Sequence, residues 1–246
     1  MPKIDEECSY RNFKIPKKSK GFRNICAPNK PLLKKQRQLN KSLVQIFNEA
    51  PKQLTQHFHG FLKARSATSG ASQHIGKEHI IMLDITNFFD SIKPRMFKQS
   101  FIQENANYLF SDREIAAQGF ASSPMLGNIA LLSFVREIKT YLQPTDTLVI
   151  YADDISIGYH GKRPGLENLA IALLTKDGFK LNKKKTRIKQ SKFGYMRVLG
   201  VNVGKDHIRA TRKTMRKIRA AKHQNNGSSL GGLTTWSKCT LPKSRD

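Results

Sequence analysis

The chain has 246 residues and carries 44 Lys and Arg side chains against 18 Asp and Glu, a formal net charge of +26. This excess of positive charge is far larger than solubility requires, so a polyanionic partner is expected, with nucleic acid the first choice. Three widely spaced cysteines without a Cys-x-x-Cys pair argue against a disulfide framework or a zinc ribbon. The opening MPKIDEE and the lack of an apolar run of about 18 residues predict a cytoplasmic protein with no membrane partner.

The first third of the chain predicts a basic hairpin, a helix and a buried strand. Residues 13–30 are basic and are interrupted by Pro and Gly, which favours an extended hairpin or loop. Apolar residues then recur at helical spacing over 31–50. The run HIIMLDI, residues 79–85, is typical of a short buried strand and ends in an acid.

The rest of the chain predicts further helices and two hairpins. In chain order these are a helix over 126–142 that buries Tyr141 with its apolar neighbours, a hairpin over 147–159, a helix over 166–174 stopped by Gly178, a hairpin over 198–211, a basic helix over 211–223 and a flexible break over 225–232. Strands and helices do not alternate regularly, so the order predicts an α+β fold.

Adjacent acids interrupt the apolar stretch TLVIYADDISIGY, residues 147–159. An Asp-Asp pair in a solvated turn is common, and that is the simple interpretation of Asp153 and Asp154. A third acid, Asp84, ends the strand over 79–85, and the three carboxylates would meet if the two strands are neighbours. Such a cluster is stable only when cations neutralise it, and oxygen ligands favour magnesium, with manganese as the alternative. Two such ions can activate an attacking hydroxyl and stabilise a departing pyrophosphate.

Several motifs resemble those of reverse transcriptases and follow that family's order. They are LDITNFFD at 83–90 for the first catalytic motif, QGFASSP at 118–124, the tetrad Tyr-Ala-Asp-Asp at 151–154, GFKLNKKKT at 178–186, VLGV at 198–201 for the primer grip and the basic fingertip segment 17–23. The resemblance implies an α+β right-hand polymerase that synthesises DNA on an RNA template. Its parts would be fingers over 1–78 with an insertion at about 95–122, a palm with an antiparallel sheet over 79–205, and a short basic thumb over 206–246 that looks truncated.

The resemblance also implies a role for particular residues. The metal set is Asp84, Ile85, Asp153 and Asp154, and the catalytic set is the three acids with Lys185 as the proton donor to pyrophosphate. The nucleotide-binding set is Lys17, Arg23, Phe89 and Gln118. The set that contacts RNA or primer is Ala71, His74, Val198, Leu199, Gly200, Arg212, Lys213, Arg216 and Lys217. For Lys185 and Lys17, a solvated basic surface remains the competing interpretation.

Phe89 is predicted to exclude ribonucleotides. In the family an aromatic at this position lies beside the sugar C2′ and leaves no room for a ribose hydroxyl. Phe88 is expected in the core, because neighbours on a strand point to opposite faces. The competing interpretation makes Phe89 a second core aromatic.

Within the family the sequence is most similar to bacterial retron enzymes. Residues 70–74 match their Asn-Ala-x-x-His except at Gly70, and residues 198–200 match their Val-Thr-Gly except at Leu199. The resemblance implies that deoxynucleoside triphosphates are polymerised on a structured non-coding RNA into RNA-linked single-stranded DNA. It further implies antiphage defence with a separate effector protein. The two departures imply altered RNA specificity.

Other functions stay open. One is an unclassified bacterial defence reverse transcriptase with another template or priming mode. A second is an RNA-binding scaffold without catalysis, which the intact acids disfavour. A third is an RNA-dependent RNA polymerase, which Phe89 disfavours. A group II intron maturase is not expected, because the sequence shows no maturase or endonuclease extension.

Overall fold

The computed structural model describes residues 7–17 and 21–239. These residues form two compact units, each assembled from separate stretches of the chain. The first unit contains 7–17, 21–55, 85–139 and 172–180, and the second contains 56–84, 140–171 and 181–239. The predicted division into fingers, palm and thumb is a functional one and stays a prediction.

The strands of the described residues fall into three antiparallel sheets. In chain order they are β1 (Tyr10–Pro16), β2 (Phe22–Pro28), β3 (His79–Asp84), β4 (Thr147–Tyr151), β5 (Asp154–Tyr159), β6 (Arg187–Gln190), β7 (Met196–Val198), β8 (Val201–Val203) and β9 (Ile208–Ala210). Their orders are β1-β2, β4-β5-β3-β6 and β7-β8-β9.

The helices are mostly short. In chain order they are α1 (Lys30–Glu49), α2 (Lys52–Thr55), α3 (Ala67–Ser72), α4 (Phe88–Ser91), α5 (Ser100–Glu104), α6 (Ala106–Leu109), α7 (Ser123–Ala130), α8 (Leu132–Ile138), α9 (Leu166–Lys176), α10 (Arg212–His223) and α11 (Gly227–Ser237). Single 3-10 turns cover Pro94–Met96, Lys139–Tyr141 and Ser191–Phe193. In the described ranges, none of these helices has the length and apolarity needed to cross a membrane.

The first unit begins with the predicted hairpin and long helix. β1 pairs with β2 from Tyr10 opposite Pro28 to Pro16 opposite Phe22. Asn29 caps α1 by accepting a hydrogen bond from the Leu32 backbone N–H at 3.0 Å. The buried stripe of α1 recurs every three or four residues, as the sequence predicts; it consists of Leu32, Gln36, Leu39, Leu43 and Phe47.

The helix predicted over 126–142 is wrong in its continuity. α7 ends at Ala130, Leu131 takes a turn conformation, and α8 ends at Ile138 before the 3-10 turn. The apolar stripe of α7 and α8 is buried, but Tyr141 is 54% exposed. The expectation that Tyr141 is buried fails because the α-helical geometry has ended before its position.

The second unit contains the predicted strand and hairpin in one sheet. β3 lies between β5 and β6, and β4 forms the edge beside β5. The apolar runs of β3, β4 and β5 are largely buried, which explains their lack of polar alternation. The two strands that carry the acids are therefore neighbours.

A three-stranded meander replaces the single hairpin predicted over 198–211. β7 begins two residues earlier, at Met196, and turns into β8 through Leu199 and Gly200. Both turn residues have positive φ, 46° and 85°, which a two-residue turn of this hand requires. Strands of three residues are too short to show an alternating pattern, so the sequence did not reveal the extra one.

The chain continues through two helices where a helix and a flexible break were predicted. α10 forms as expected, capped by Thr211. The break predicted over 225–232 is wrong, because α11 begins at Gly227 with Asn226 accepting a hydrogen bond from the Ser229 backbone N–H at 3.1 Å. Gly and Ser have low helix propensity, but this cap and contacts with α10 hold α11 in place. Residues 240–246 of the predicted thumb and 18–20 of the predicted fingertip lie outside the described residues.

Candidate active site

Two of the three predicted acids face each other across the central sheet of the second unit. Asp84 is the last residue of β3 and Asp154 the first of β5, and the two are direct partners in the antiparallel register. Partners of this kind have side chains on the same face of a sheet, with Cβ atoms roughly 5 Å apart. Tyr151 pairs with Asp154 as β4 and β5 close, which leaves Ala152 and Asp153 as the turn. The structure thus places Asp154, rather than Asp153, opposite Asp84.

Asp154 lies close enough to the other two carboxylates to feel their charge. Burial raises the pKa of Asp154 to about 6, and the nearby charges of Asp153 and then Asp84 add to this effect. The positive charge of Lys185 acts in the opposite direction on the pKa of Asp154, and Lys185 is the cation that lies beside the cluster. Its Nζ lies 2.7 Å from Asp84 Oδ2, and the hydrogen bond to Asp84 raises the pKa of Lys185. Three acids and one ammonium leave an excess of negative charge inside a strongly basic chain.

Backbone contacts fix both ends of this cluster. The Asn182 backbone N–H donates to the Asp84 carbonyl at 2.8 Å. On the other side, residues 57–60 run along β4, with hydrogen bonds of 2.8 Å from Ile150 N to His57 O and from His59 N to Ile150 O. A Cβ at Gly60 would lie 2.9 Å from the Ala152 backbone nitrogen, so the chain passes directly against the turn that carries Asp153. Sequence reasoning missed this contact, because Gly60 and Ala152 are far apart in the sequence.

A polar pocket in the first unit brings together most of the predicted nucleotide-binding residues. Its lining residues are Lys17, Phe22, Arg23, Asn24, Asn87, Asp90 and Gln118. Three of the four predicted residues are in this set. Phe89 is not, although Asp90, which follows it in α4, and Asn87, which precedes the helix, both line the pocket. Phe22, Asn24, Asn87 and Asp90 were not predicted, because the motifs quoted above that contain or adjoin them assign them no role.

The pocket wall is held by a close approach of two backbones. The Cys26 N–H donates to the Gln118 carbonyl at 2.8 Å. Gly119 follows with φ +106°, and a Cβ there would lie 2.4 Å from the Cys26 oxygen. Only glycine fits this position. The Gln-Gly pair therefore ties β2, which carries Arg23, to the segment that carries Gln118.

Phe88 and Phe89 lie on a one-turn helix and not on a strand, which corrects the reason given for their roles. Asn87, with φ 49°, ends the extended chain and precedes α4. Phe88 is 4% exposed and stacks on Phe179 with ring centroids 6.0 Å apart. Phe89 is half-buried, and its ring centroid lies 5.3 Å from that of Phe88. Phe88 is a core residue as expected, and the role of Phe89 stays a prediction.

Residues 15–203 match the sequence model of the family described as reverse transcriptase (RNA-dependent DNA polymerase). The chain belongs to the reverse transcriptase family. The match spans both units and all the motifs quoted above, including the register pair Asp84 and Asp154.

Relatives of this reverse transcriptase chain include retron enzymes, as the motifs predicted. It is 27% identical to the retron Mx65 reverse transcriptase of Myxococcus xanthus over 95% of this chain and 62% of that protein. It is 24% identical to the retron Ec86 reverse transcriptase of Escherichia coli over 87% of this chain and 69% of that protein. The chain thus spans about 62% of the length of the first of these relatives.

Solved structures confirm the α+β polymerase fold. Apo telomerase from Candida tropicalis, truncated from its C-terminal domain, matches with a TM-score of 0.63 at 15% identity, over 82% of this chain and 55% of that one. Telomerase from Candida albicans with a fragment of telomeric RNA matches with a TM-score of 0.60 at 12% identity, over 93% of this chain and 55% of that one. At these identities the likeness concerns the fold alone.

The acids of this reverse transcriptase chain fit a divalent metal ion, which the family generally uses. Their donor atoms are all oxygen, which suits magnesium or manganese, and the charges of Asp153 and Asp84 add to the effect of burial in raising the pKa of Asp154. Within the described ranges, no three His, Cys, Asp or Glu side chains already stand close enough to hold an ion. Asp84, Asp153 and Asp154 would supply the carboxylate oxygens that hold such an ion. The side chain of Ile85 is buried and apolar, so only its backbone oxygen could serve as a ligand.

The residues predicted to contact RNA or primer divide into two groups. The side chains of Ala71, His74 and Val198 are fully buried, so they are not available for a direct side-chain contact with RNA, and the assignment of these positions to RNA or primer binding stays a prediction. Leu199 and Gly200 form the partly exposed β7–β8 turn. The four predicted cations of α10 are exposed and available to phosphates; they are Arg212, Lys213, Arg216 and Lys217.

His74 joins α3 to the central sheet as a neutral ring. Its Nδ1 lies 2.7 Å from Thr147 Oγ1 on β4 and its Nε2 lies 2.8 Å from Ser156 Oγ on β5. Burial lowers the pKa of His74 to about 3, and Lys77 adds to this effect. Burial likewise lowers the pKa of His59 to about 4. A motif match had marked His74, but its letters could not show that the side chain is inside.

We predict that acid destabilises the protein through His74. The unfolded chain takes up a proton at this ring near pH 6.5, whereas the folded protein does so only near pH 3. Stability is therefore complete above pH 6.5 and falls as the pH falls between these values, by on the order of 2 kcal/mol at pH 5. Urea unfolding between pH 5 and pH 7 measures this slope. His74→Gln should flatten it and the exposed His160→Gln should not; equal slopes in all three proteins would contradict the assignment.

Proposed function

We propose that the chain is an RNA-directed DNA polymerase that copies a structured non-coding RNA into RNA-linked single-stranded DNA. The observation that carries the proposal is the pairing of Asp84 with Asp154 beside the Asp153 turn, in a chain of the reverse transcriptase family. The retron relatives support the RNA-linked product. A division into fingers over 1–78, palm over 79–205 and thumb over 206–246 belongs to the same proposal, as does antiphage defence with a separate effector protein.

The three acids would hold two magnesium ions, with manganese as the alternative. Asp84 and Asp153 are the assigned ligands. Asp154 either shares a ligand position or orients a ligand without touching the metal itself. When bound, the ions supply activation of the attacking hydroxyl and charge stabilisation at the departing pyrophosphate. The protein's own part is to hold the carboxylates on one edge of a rigid sheet, which positions them before the substrate arrives.

Lys185 would deliver the proton that the leaving pyrophosphate requires. Its ammonium already lies at the acid cluster, 2.7 Å from Asp84, and the raised pKa keeps it protonated at neutral pH. An ammonium in this place would donate a proton to an anionic oxygen of the leaving pyrophosphate. The side chain of Lys185 is itself 62% exposed, so the competing solvated role stays open, and the ion pair with Asp84 is the observation that favours the catalytic one.

The pocket of the first unit would bind the triphosphate and sugar of the incoming nucleotide. Lys17 and Arg23 supply positive charge for phosphate oxygens, and a guanidinium can donate two parallel hydrogen bonds to them. Gln118 supplies an amide for the sugar or base. Asp90 on the same wall pairs only loosely with Arg113, at 3.8 Å.

Replacing Phe89 by alanine should admit ribonucleotides. The half-buried ring is assigned to fill the space beside the sugar C2′, so its removal should reduce the preference for deoxynucleotides by roughly 10- to 100-fold. Single-nucleotide incorporation with paired dNTP and NTP measures the ratio. The matched control is Phe13→Ala, which removes an aromatic that is 39% exposed on β1 and outside the pocket. An unchanged ratio in Phe89→Ala would show that the ring is a core residue only.

A second candidate is a bacterial defence reverse transcriptase with another template or priming mode. The two departures from the retron pattern are in contact: a Cβ at Gly70 would lie 3.0 Å from Leu199 Cδ1 and 3.0 Å from Val149 Cγ1. A side chain at position 70 would therefore require Leu199 or Val149 to shift by a few tenths of an ångström, so the two departures are packed against each other. This linked change favours an RNA partner different from those of the retron relatives.

Sequencing the nucleic acid that copurifies with the protein tests the proposal. DNA joined to RNA, absent from an Asp153→Asn protein purified in the same way, is the expected result. Unlinked or repetitive DNA would favour the second candidate. RNA without any DNA, together with no metal-dependent dNTP incorporation, would leave an RNA-binding scaffold. Preferential incorporation of NTP would identify an RNA polymerase.

A further inference from the structure

One face of the β7–β8–β9 sheet presents polar and basic side chains to solvent. Arg197, Asn202 and Arg209 are direct partners across the three strands. The alternating residues of β7 and β8 are buried on the opposite face, against Ala71 and Ile80. Arg197 and Arg209 are exposed. The outward row therefore joins two guanidinium groups with an amide between them.

Aromatic rings border this row. The Arg209 guanidinium carbon lies 3.7 Å from the centre of the Tyr195 ring, which is close stacking. Phe193 is 80% exposed, and Lys192 Nζ lies 5.1 Å from its ring centre. The 3-10 turn that carries Phe193 is anchored by the Ser191 N–H, which donates to the Glu78 carbonyl at 2.8 Å. Phe193 thus presents an apolar ring to solvent beside the basic row, on a turn whose backbone is anchored.

The charge around the row is uncompensated. Burial lowers the pKa of Lys189 to about 8, and repulsion from Arg187 and Arg197 adds to this effect. Over residues 181–239 the sequence has sixteen Lys and Arg and one acid, Asp206. Asp206 Oδ1 lies within hydrogen-bond distance of His207 Nδ1, at 2.7 Å. In this described stretch, Lys185 is the one Lys or Arg with an ion pair, so an anion is the complement that the surface lacks.

We propose that this surface, the basic face formed by Phe193, Tyr195, Arg197, Asn202 and Arg209, binds an unpaired segment of RNA. Arg197 and Arg209 contact successive phosphates, and one base stacks on Phe193. Arginine pairs and exposed rings are the two parts of single-strand recognition: phosphate contacts give affinity, and every base offers a face for stacking. The basic face is separate from the α10 cations and the β7–β8 turn already assigned to RNA or primer. It rests on the proposed function for the identity of the ligand, and on no step of catalysis.

Equilibrium binding of a labelled, unstructured single-stranded RNA, followed by fluorescence anisotropy without metal or dNTP, tests the basic face. Phe193→Ala should weaken binding by between about 5- and 150-fold, the loss of one stacked base, with the salt dependence unchanged. Arg197→Gln with Arg209→Gln should instead lower the slope of log K against log salt by about 1.4, the loss of two single-strand phosphate contacts. The two kinds of variant thus leave different signatures.

Two controls in the second unit match these changes. Tyr141→Ala removes an aromatic that is 54% exposed, and Lys162→Gln removes an exposed cation outside the basic face. Both should bind as the wild type does. Phe193→Leu keeps the apolar volume without the ring, and it should behave as Phe193→Ala does if stacking is the role.

Several results would overturn the proposal. They are wild-type affinity in Phe193→Ala, an unchanged salt slope in the double arginine variant, and an equal effect of Phe193→Ala on duplex RNA, which offers no unpaired base. Binding by the Asp153→Asn protein separates this proposal from the polymerase. If wild type and Asp153→Asn both bind but neither incorporates dNTP, the proposed function fails while the basic face stands.

Discussion

Replacing Asp84 by asparagine should lower the rate of deoxynucleotide incorporation by about three orders of magnitude or more. Asp84 is 6% exposed, faces Asp154 in the sheet and holds the Lys185 ammonium, so no other acid can take its place. An amide removes one negative charge from the metal set, and metal-ion stabilisation of a transition state is worth several kcal/mol, at tenfold in rate for each 1.4 kcal/mol or so. Single-turnover extension of a primer on an RNA template measures the loss.

A readout independent of turnover accompanies this variant. Magnesium or manganese should raise the melting temperature of the wild type and not that of Asp84→Asn, because only a bound ion stabilises the folded state. Asp112→Asn is the matched control, since it neutralises an exposed acid of the first unit. Incorporation by Asp84→Asn within tenfold of the control would contradict the metal assignment.

The two adjacent acids can be separated by the same measurement. Asp153 is the assigned metal ligand, whereas the register places Asp154 opposite Asp84. If Asp153→Asn matches Asp84→Asn and Asp154→Asn is milder, the turn residue is the ligand and Asp154 supports it. The reverse order would make the register pair the metal-binding pair.

Replacing Gly60 by alanine should reduce incorporation by about 100-fold without unfolding the protein. The added Cβ would lie 2.9 Å from Ala152 N and 3.3 Å from Tyr151 Cα, and both are backbone atoms that cannot swing aside. The turn must shift by a few tenths of an ångström or more, and displacement of a catalytic group on this scale costs much of its rate. The strain should also lower stability by roughly 1–3 kcal/mol.

Gly232→Ala provides the control for the Gly60 change. No atom lies within 4 Å of a Cβ at Gly232 on α11, so that variant should be as active and at least as stable as the wild type. Primer extension and thermal melting of the two variants give both quantities. Equal activity of Gly60→Ala and Gly232→Ala would mean that the 57–60 segment does not position Asp153.

The sequence predicted that the three acids lie near one another, and it predicted the strands that carry them and the first helix. Strands and helix could be predicted because their signals are local. The apolar runs of β3 and β4 are continuous, and the cap and stripe of α1 are complete. The sequence could not predict that Asp154 is the partner of Asp84, because the register depends on a two-residue turn in which Ala152 has φ 55°. Alanine rarely adopts a positive φ, so the residue type alone does not predict this conformation.

The motifs did not reveal which of their residues are buried. Ala71, His74 and Val198 matched family patterns associated with RNA, yet their side chains are inside the second unit. The contact of Gly70 with Leu199 was equally hidden, since it joins positions 129 residues apart. The Asn226 cap of α11 outweighed a Gly- and Ser-rich composition that otherwise favours a break. Each of these outcomes depends on packing between distant segments.

The pairing of β3 with β5 also sets the order of events as the chain leaves the ribosome. Asp84 pairs with Asp154 and His79 pairs with Tyr159. About 70 to 80 further residues must therefore be synthesised after β3 before β5 can pair with it. At roughly 5–20 residues per second, that delay lasts several seconds. Ile80, Ile81 and Leu83 are buried in the finished sheet, but during this delay β3, which carries them, has no β5 beside it. A nascent chain stalled before residue 154 therefore carries an unpaired apolar strand, which makes translation pauses in this interval a source of aggregation.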